Sequence, residues 1–102
     1  MRHLHIQPAS GFRVIAGTPR SQAAIMVLDP SQSTGGPDNK HERSDQWLYV
    51  LSGQGQAIIE NQQVEIGPGS LVLIEAGERH EIVNTSDEYP LETINIYTPP
   101  EY

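Results

Sequence analysis

Short runs rich in Val, Ile, Leu and Tyr, each closed within a few residues by Gly, Pro or Asn, recur from Phe12 to Tyr97, and they constrain the fold more than any other feature. Runs of this length are too short for stable helices and match strands, and the Gly and Pro residues between them supply turns. The expected strands are Phe12 to Ala16, Ala23 to Leu28, Asp45 to Leu51, Gln54 to Glu60, Gln63 to Ile66, Ser70 to Ile74, His80 to Asn84 and Leu91 to Tyr97. Glu60-Asn61-Gln62-Gln63 reads as a hairpin, because Asn tolerates the left-handed backbone of a tight turn. An all-β chain of 102 residues buries a core either as a sandwich or as a barrel, and one domain exhausts the length.

Composition removes several functional classes. Thirteen acidic against six basic residues give a net charge of −7, which repels nucleic acid and anionic membranes. With no cysteine, neither disulfides nor thiolate chemistry is available. No apolar stretch is long enough to span a membrane and the start lacks a signal-peptide pattern, so the expectation is a cytoplasmic protein.

Ligand-type residues concentrate in two places. In Asn39 to Gly53, a polar head runs directly into an apolar strand. On an extended backbone Asn39 and His41 project to one side, and Gln46 heads the row Gln46, Leu48, Val50, opposite to Trp47, Tyr49, Leu51. The segment Asp29 to Asp38 has almost no apolar residue and reads as a loop leading into this head. Downstream, Gly69 to Asn84 repeats the pattern of apolar strand, Gly turn and histidine, with His80 returning to the end where His41 lies.

The two stretches together resemble the paired motifs of the cupin family, small double-stranded β-helix barrels. Gly35, Asn39-Lys40-His41, Gln46 and Gly53 fall at the spacing of the first motif, residues 35–53. Gly69, Glu75-Ala76-Gly77, His80 and Asn84 fall at that of the second, residues 69–84, with Glu75 where the family has proline. The resemblance implies an all-β, jelly-roll-like barrel over residues 1–102 with a divalent metal at its mouth, held by Asn39, His41, Gln46 and His80. Metal-binding members use three histidines and a glutamate, whereas this chain has amides at two of the four places. Such a neutral shell holds a metal weakly, with iron, manganese, nickel and zinc all compatible. Two functions follow from the resemblance: a metal site that binds a small polar or anionic organic ligand, as in a metal-dependent enzyme, or a metal-free small-molecule module, such as a sugar binder.

The outward row Trp47, Tyr49, Leu51 needs cover, and the expectation is a homodimer, the alternative being the chain's own segment Phe12 to Leu28. Ile58, Val72, Ile74 and Ile82 are expected in the core or the pocket wall.

Overall fold

The computed structural model describes residues 1–36 and 39–102, so that Pro37 and Asp38, at the end of the expected loop, lie outside the described residues. It contains eight strands and, among the described residues, no helix: β1 (Gly11–Gly17), β2 (Gln22–Leu28), β3 (Asp45–Ser52), β4 (Gly55–Ile59), β5 (Gln62–Ile66), β6 (Leu71–Ile74), β7 (His80–Asn84) and β8 (Leu91–Thr98). Each expected strand is present within two residues of its expected ends. No helix among the described residues is long and apolar enough to cross a membrane.

The strands form two antiparallel sheets, β1-β2-β8-β3-β6 and β5-β4-β7. This is a jelly-roll order in which the smaller sheet lacks a regular fourth strand. The loop leading into β3 takes that place. Ser33 bridges Val83, Thr34 N donates to Ile82 O, Asn84 N donates to Gln32 O and His80 N donates to Asn39 O, so the polar segment runs antiparallel along β7. Its backbone completes the barrel, but its missing apolar alternation keeps it from reading as a strand.

Period-two alternation places the core. Leu48 and Val50 are fully buried and Gln46 is 3% exposed, while Trp47, Tyr49 and Leu51 on the other side are each about 40% exposed. Met26, Leu28, Ala57, Ile66, Ile74, Ile82 and Leu91 complete the core, with Ile59 and Val72 against its edge. Ile74 and Ile82 meet the expectation, but Ile58 does not reach the core: it alternates with the inward Ala57 and is only half-buried. The hairpin between β4 and β5 turns at Glu60 (φ 48°) and Asn61 (φ 66°), the pair of left-handed residues that a two-residue turn requires. Gly53 closes the first motif for a steric reason, since its φ is +96° and a Cβ there would run into the Pro90 carbonyl.

Asn84, the last position of the second motif, is a structural bolt. It is 1% exposed, and its Nδ2 donates to the carbonyls of Leu28, Asp29 and Tyr89 at 3.0, 3.2 and 2.9 Å while Oδ1 accepts from Ser86 N at 2.9 Å.

The segment Phe12 to Leu28 does not cover the outward row of β3. It forms β1 and β2, which lie beside β8 in the same sheet. The N-terminal arm lies over the β2 side instead: Met1, Arg2 and Leu4 line a hollow with Ala23 and Ile96, and Arg2 donates to Gly17 O. Trp47, Tyr49, Leu51, Leu71 and Leu73 remain exposed on the β3-β6 side, where Trp47 pairs with Leu73 and Tyr49 with Leu71.

Candidate functional site

The backbone joins the two motifs before any side chain does. Asn39 O accepts from His80 N and His41 O accepts from Gly77 N, both at 2.7 Å. The turn at Gly77, with φ +85°, brings the chain back so that His80 opens β7 opposite the segment before β3. The rings of His41 and His80 come to 4.9 Å between centroids. Gln46, one residue into β3 and on its inward row, sets its Oε1 3.1 Å from His41 Nε2.

These residues line one cavity of about 530 Å³ together with Asn39. Its wall is apolar on the side of Phe12, Met26, Leu28 and Ile82. Polar groups converge at the other end. Asn39 is exposed at the lip, and its Nδ2 donates to Thr34 O at 3.2 Å. Thus His41, Gln46 and His80 meet at the floor, and Asn39 lines the rim. Glu42 does not line the cavity and pairs with Lys40 at 3.3 Å in solvent.

Burial and hydrogen bonding set the state of each group. His80 is 6% exposed, and burial lowers its pKa from the usual imidazole value, the bond from Nδ1 to Glu78 O partly offsetting this and nearby His41 adding to it. Because the Nδ1 hydrogen is donated to Glu78 O at 3.1 Å, the Nε2 lone pair of neutral His80 is free. Gln46 Nε2 donates to Asn95 Oδ1 at 2.8 Å, which turns the Gln46 oxygen toward His41. Among the described residues no three His, Cys, Asp or Glu side chains form a metal-holding group, so a cation here would draw on the Gln46 amide oxygen.

Two of these donors stand at the spacing that ligands of one divalent ion take. Two atoms each bound about 2.1 Å from one ion at a right angle are about 3 Å apart, the spacing of His41 Nε2 and Gln46 Oε1. The second nitrogen of each imidazole already has a partner, Glu78 O for His80 and the Glu101 carboxylate, 3.4 Å from Nδ1, for His41, as ligating histidines require.

Glu101 belongs to a part of the site that strand periodicity does not reveal. Residues 98–102 fold back and roof the cavity. Gln22 holds them: its Oε1 accepts from Glu101 N and Tyr102 N, and its Nε2 donates to Tyr102 O at 2.7 Å. Ser44 Oγ donates to Pro99 O. The Tyr102 ring then lies 4.8 Å from Phe12 and 5.2 Å from Tyr97, and Tyr97 meets His41 edge-on at 5.3 Å. Burial, with the other phenol beside it, raises the Tyr97 pKa well above the usual phenol range, and burial raises that of Tyr102 as well. Both phenols therefore remain neutral donors. The one signal for Tyr97 was its place on the inward row Leu91, Thr93, Asn95, Tyr97 of β8, where Thr93 and Asn95 interrupt an apolar pattern.

Comparison with solved structures supports the same fold. A protein of Bacillus halodurans, BH2720, is 26% identical over 91% of this chain and 73% of its own, with a TM-score of 0.84. KdgF from a Halomonas species is 25% identical over 87% of this chain and 77% of its own, with a TM-score of 0.77. A predicted oxalate decarboxylase of Thermotoga maritima is 30% identical over 78% of this chain and 66% of its own, with a TM-score of 0.70. No curated protein matches the chain. The family model described as "Cupin domain" matches residues 24–97, which include both motifs, the three floor residues and the inward row of β8, and the chain belongs to the cupin family.

Proposed function

We propose that this cupin binds a divalent cation through His41, His80 and Gln46, and with it a small polar or anionic organic ligand in the cavity above. The observation that carries the reading is the meeting of Gln46 Oε1 and His41 Nε2 at 3.1 Å beside a histidine whose Nδ1 is already occupied. A cation held by neutral donors keeps its full charge and would act as a Lewis acid toward a bound ligand. The wall of Phe12, Met26, Leu28 and Ile82 suits an apolar portion. Likeness to a predicted oxalate decarboxylase supports a small carboxylate as the anionic part. Iron, manganese, nickel and zinc all suit two imidazoles and one amide oxygen.

Elemental analysis of untagged protein, followed by calorimetric titration of manganese, nickel and zinc into chelator-treated protein, tests the reading. One saturable equivalent, abolished by His80→Ala, is expected. Less than about a tenth of an equivalent with every metal would refute it, since a site of this kind is stoichiometric. The amides at positions 39 and 46 favour a second reading, a metal-free binding module, to which a polyol that binds equally well before and after chelation would point.

We also propose that a second copy of the chain covers the face of Trp47, Tyr49, Leu71 and Leu73, five large apolar side chains with Leu51 being an unusual exposure for a monomer of this size.

A further inference from the structure

Behind Gln46 lies a chain of buried polar side chains that the metal site does not use. Thr93 Oγ1 donates to Met26 O at 2.8 Å, Asn95 Nδ2 donates to Thr93 Oγ1 at 3.0 Å, and Gln46 Nε2 donates to Asn95 Oδ1 at 2.8 Å. Thr93 and Asn95 are fully buried, so no water competes for these bonds. The direction of the chain is set at its far end. A backbone carbonyl only accepts, so the single hydroxyl hydrogen of Thr93 is spent on Met26 O. Thr93 Oγ1 can then only accept, which calls for the Asn95 amide nitrogen and leaves the Asn95 oxygen toward Gln46. Gln46 must present its nitrogen to that oxygen. Turning Gln46 over would oppose two oxygens, and turning Asn95 over with it would oppose the Asn95 oxygen to a hydroxyl with no hydrogen left.

The floor of the cavity is therefore polarised. Gln46 offers an oxygen and neutral His80 offers the lone pair of Nε2. Both accept. The donor among these side chains, His41 Nε2–H, is taken up by Gln46 Oε1 in the absence of another partner, and the phenols of Tyr97 and Tyr102 line the same cavity as separate donors.

We propose that Thr93 and Asn95 are positioning residues that hold the Gln46 oxygen toward His41, so that Gln46 and His80 together take a cation or a hydrogen-bond donor directly and meet an oxyanion only through a bound cation. The role of the bound cation rests on the metal site proposed above; the fixed direction of the amide does not.

The test uses the full chain after dialysis against chelator. In the metal-free protein, solvent exchange of the Gln46 side-chain amide hydrogens, followed by NMR, is expected to rise about ten-fold in Thr93→Val and to stay within about two-fold in Thr93→Ser, which keeps the hydroxyl. Cobalt(II) affinity should fall by about ten-fold or more in Thr93→Val. In a Gln46→Glu background the same substitution should cost less than about three-fold, because a carboxylate presents an oxygen whichever way it turns. If Thr93→Val does not fold, Thr93→Cys replaces it, the thiol being a weak donor of similar size. Malonate is expected to bind the cobalt-loaded chain and to give no saturable shifts with the metal-free one.

Unchanged Gln46 exchange in Thr93→Val, or an equal cobalt loss in the Gln46→Glu background, would overturn the positioning role. Malonate binding as tightly without cobalt as with it would overturn the polarity of the floor. A wild-type chain that takes up no cobalt, with the exchange results as expected, refutes the metal reading and upholds the positioning role.

Discussion

Asn84 fastens three parts of the chain at once, and the cost of removing it can be worked from its bonds. The amide nitrogen has two hydrogens, shared among the carbonyls of Leu28, Asp29 and Tyr89, and the oxygen accepts from Ser86 N. Asn84→Ala removes about three hydrogen bonds at about 1 kcal/mol each, so a loss of about 3 kcal/mol is expected. Asn84→Asp keeps shape and the Ser86 bond, but sets an anionic oxygen within 3.2 Å of three carbonyl oxygens. A buried unpaired charge belongs with the most damaging substitutions, so a loss of about 4 kcal/mol or more is expected at neutral pH. Urea denaturation reads both. With a slope of about 1 to 3 kcal/mol per molar, the alanine variant should lower the midpoint by about 1 to 3 M. Two results would refute the reasoning: a loss below about 1 kcal/mol in Asn84→Ala, or an aspartate variant no worse than the alanine one.

Other expectations follow from the same geometry. The folded pKa of His80 lies below its ordinary value of 6.5, so on acidification the unfolded chain takes up the proton first. The His80 contribution to stability is thus whole above about pH 6.5 and lost as pH falls through the lower folded value; urea midpoints of metal-free protein should fall between about pH 7.5 and about pH 5.5, and less so in His80→Gln. The lowered Glu60 pKa, caused by its bonds to Arg79, acts in the same direction but only below 4.5, outside that window. Gln22→Ala should free the roof of the cavity, read as loss of amide-exchange protection at Glu101 and Tyr102 while β2 and β8 stay protected. Leu73→Glu places a charge in the middle of the exposed β3-β6 face, and sedimentation should show a dimer for the wild-type chain and a monomer for the variant, with a monomeric wild type refuting the interface.

Much of this architecture is legible from local pattern. Strand limits follow from period-two alternation, because each sheet has one face in the core, and the hairpin at Glu60-Asn61 follows from a residue type that accepts positive φ. The convergence of His41, Gln46 and His80 is legible through motif spacing, since the spacing within each motif fixes which side chains its segment brings to the shared end of the two sheets. Two features escape such reading. Residues 32–34 and Asn39 serve as an edge of the smaller sheet mainly through backbone bonds, and backbone bonding leaves no mark on side-chain pattern. Glu101 and Tyr102 reach the site because one side chain about eighty positions earlier, Gln22, holds their backbone. Nothing near residue 101 encodes that partner.

The inward row of β8 lies between these cases, and it bears on how a neutral cupin site can work. Thr93 and Asn95 stand where alternation calls for apolar residues, and each weakens the core it interrupts unless every polar atom is satisfied. Among the described residues no fully buried side-chain nitrogen or oxygen lacks a partner. The chain from Met26 O through Thr93 and Asn95 ends at the single amide that touches His41. Glutamate, the family's usual residue at this position, would need no such support, because both its oxygens accept. Gln46 presents an acceptor to the cavity only if something holds its nitrogen behind it, and two polar residues in the core are what that requirement costs. Gln46→Glu should therefore strengthen cation binding yet gain less than a lone carboxylate is worth, because its second oxygen would face Asn95 Oδ1 across the 2.8 Å that Nε2 now spans as a donor.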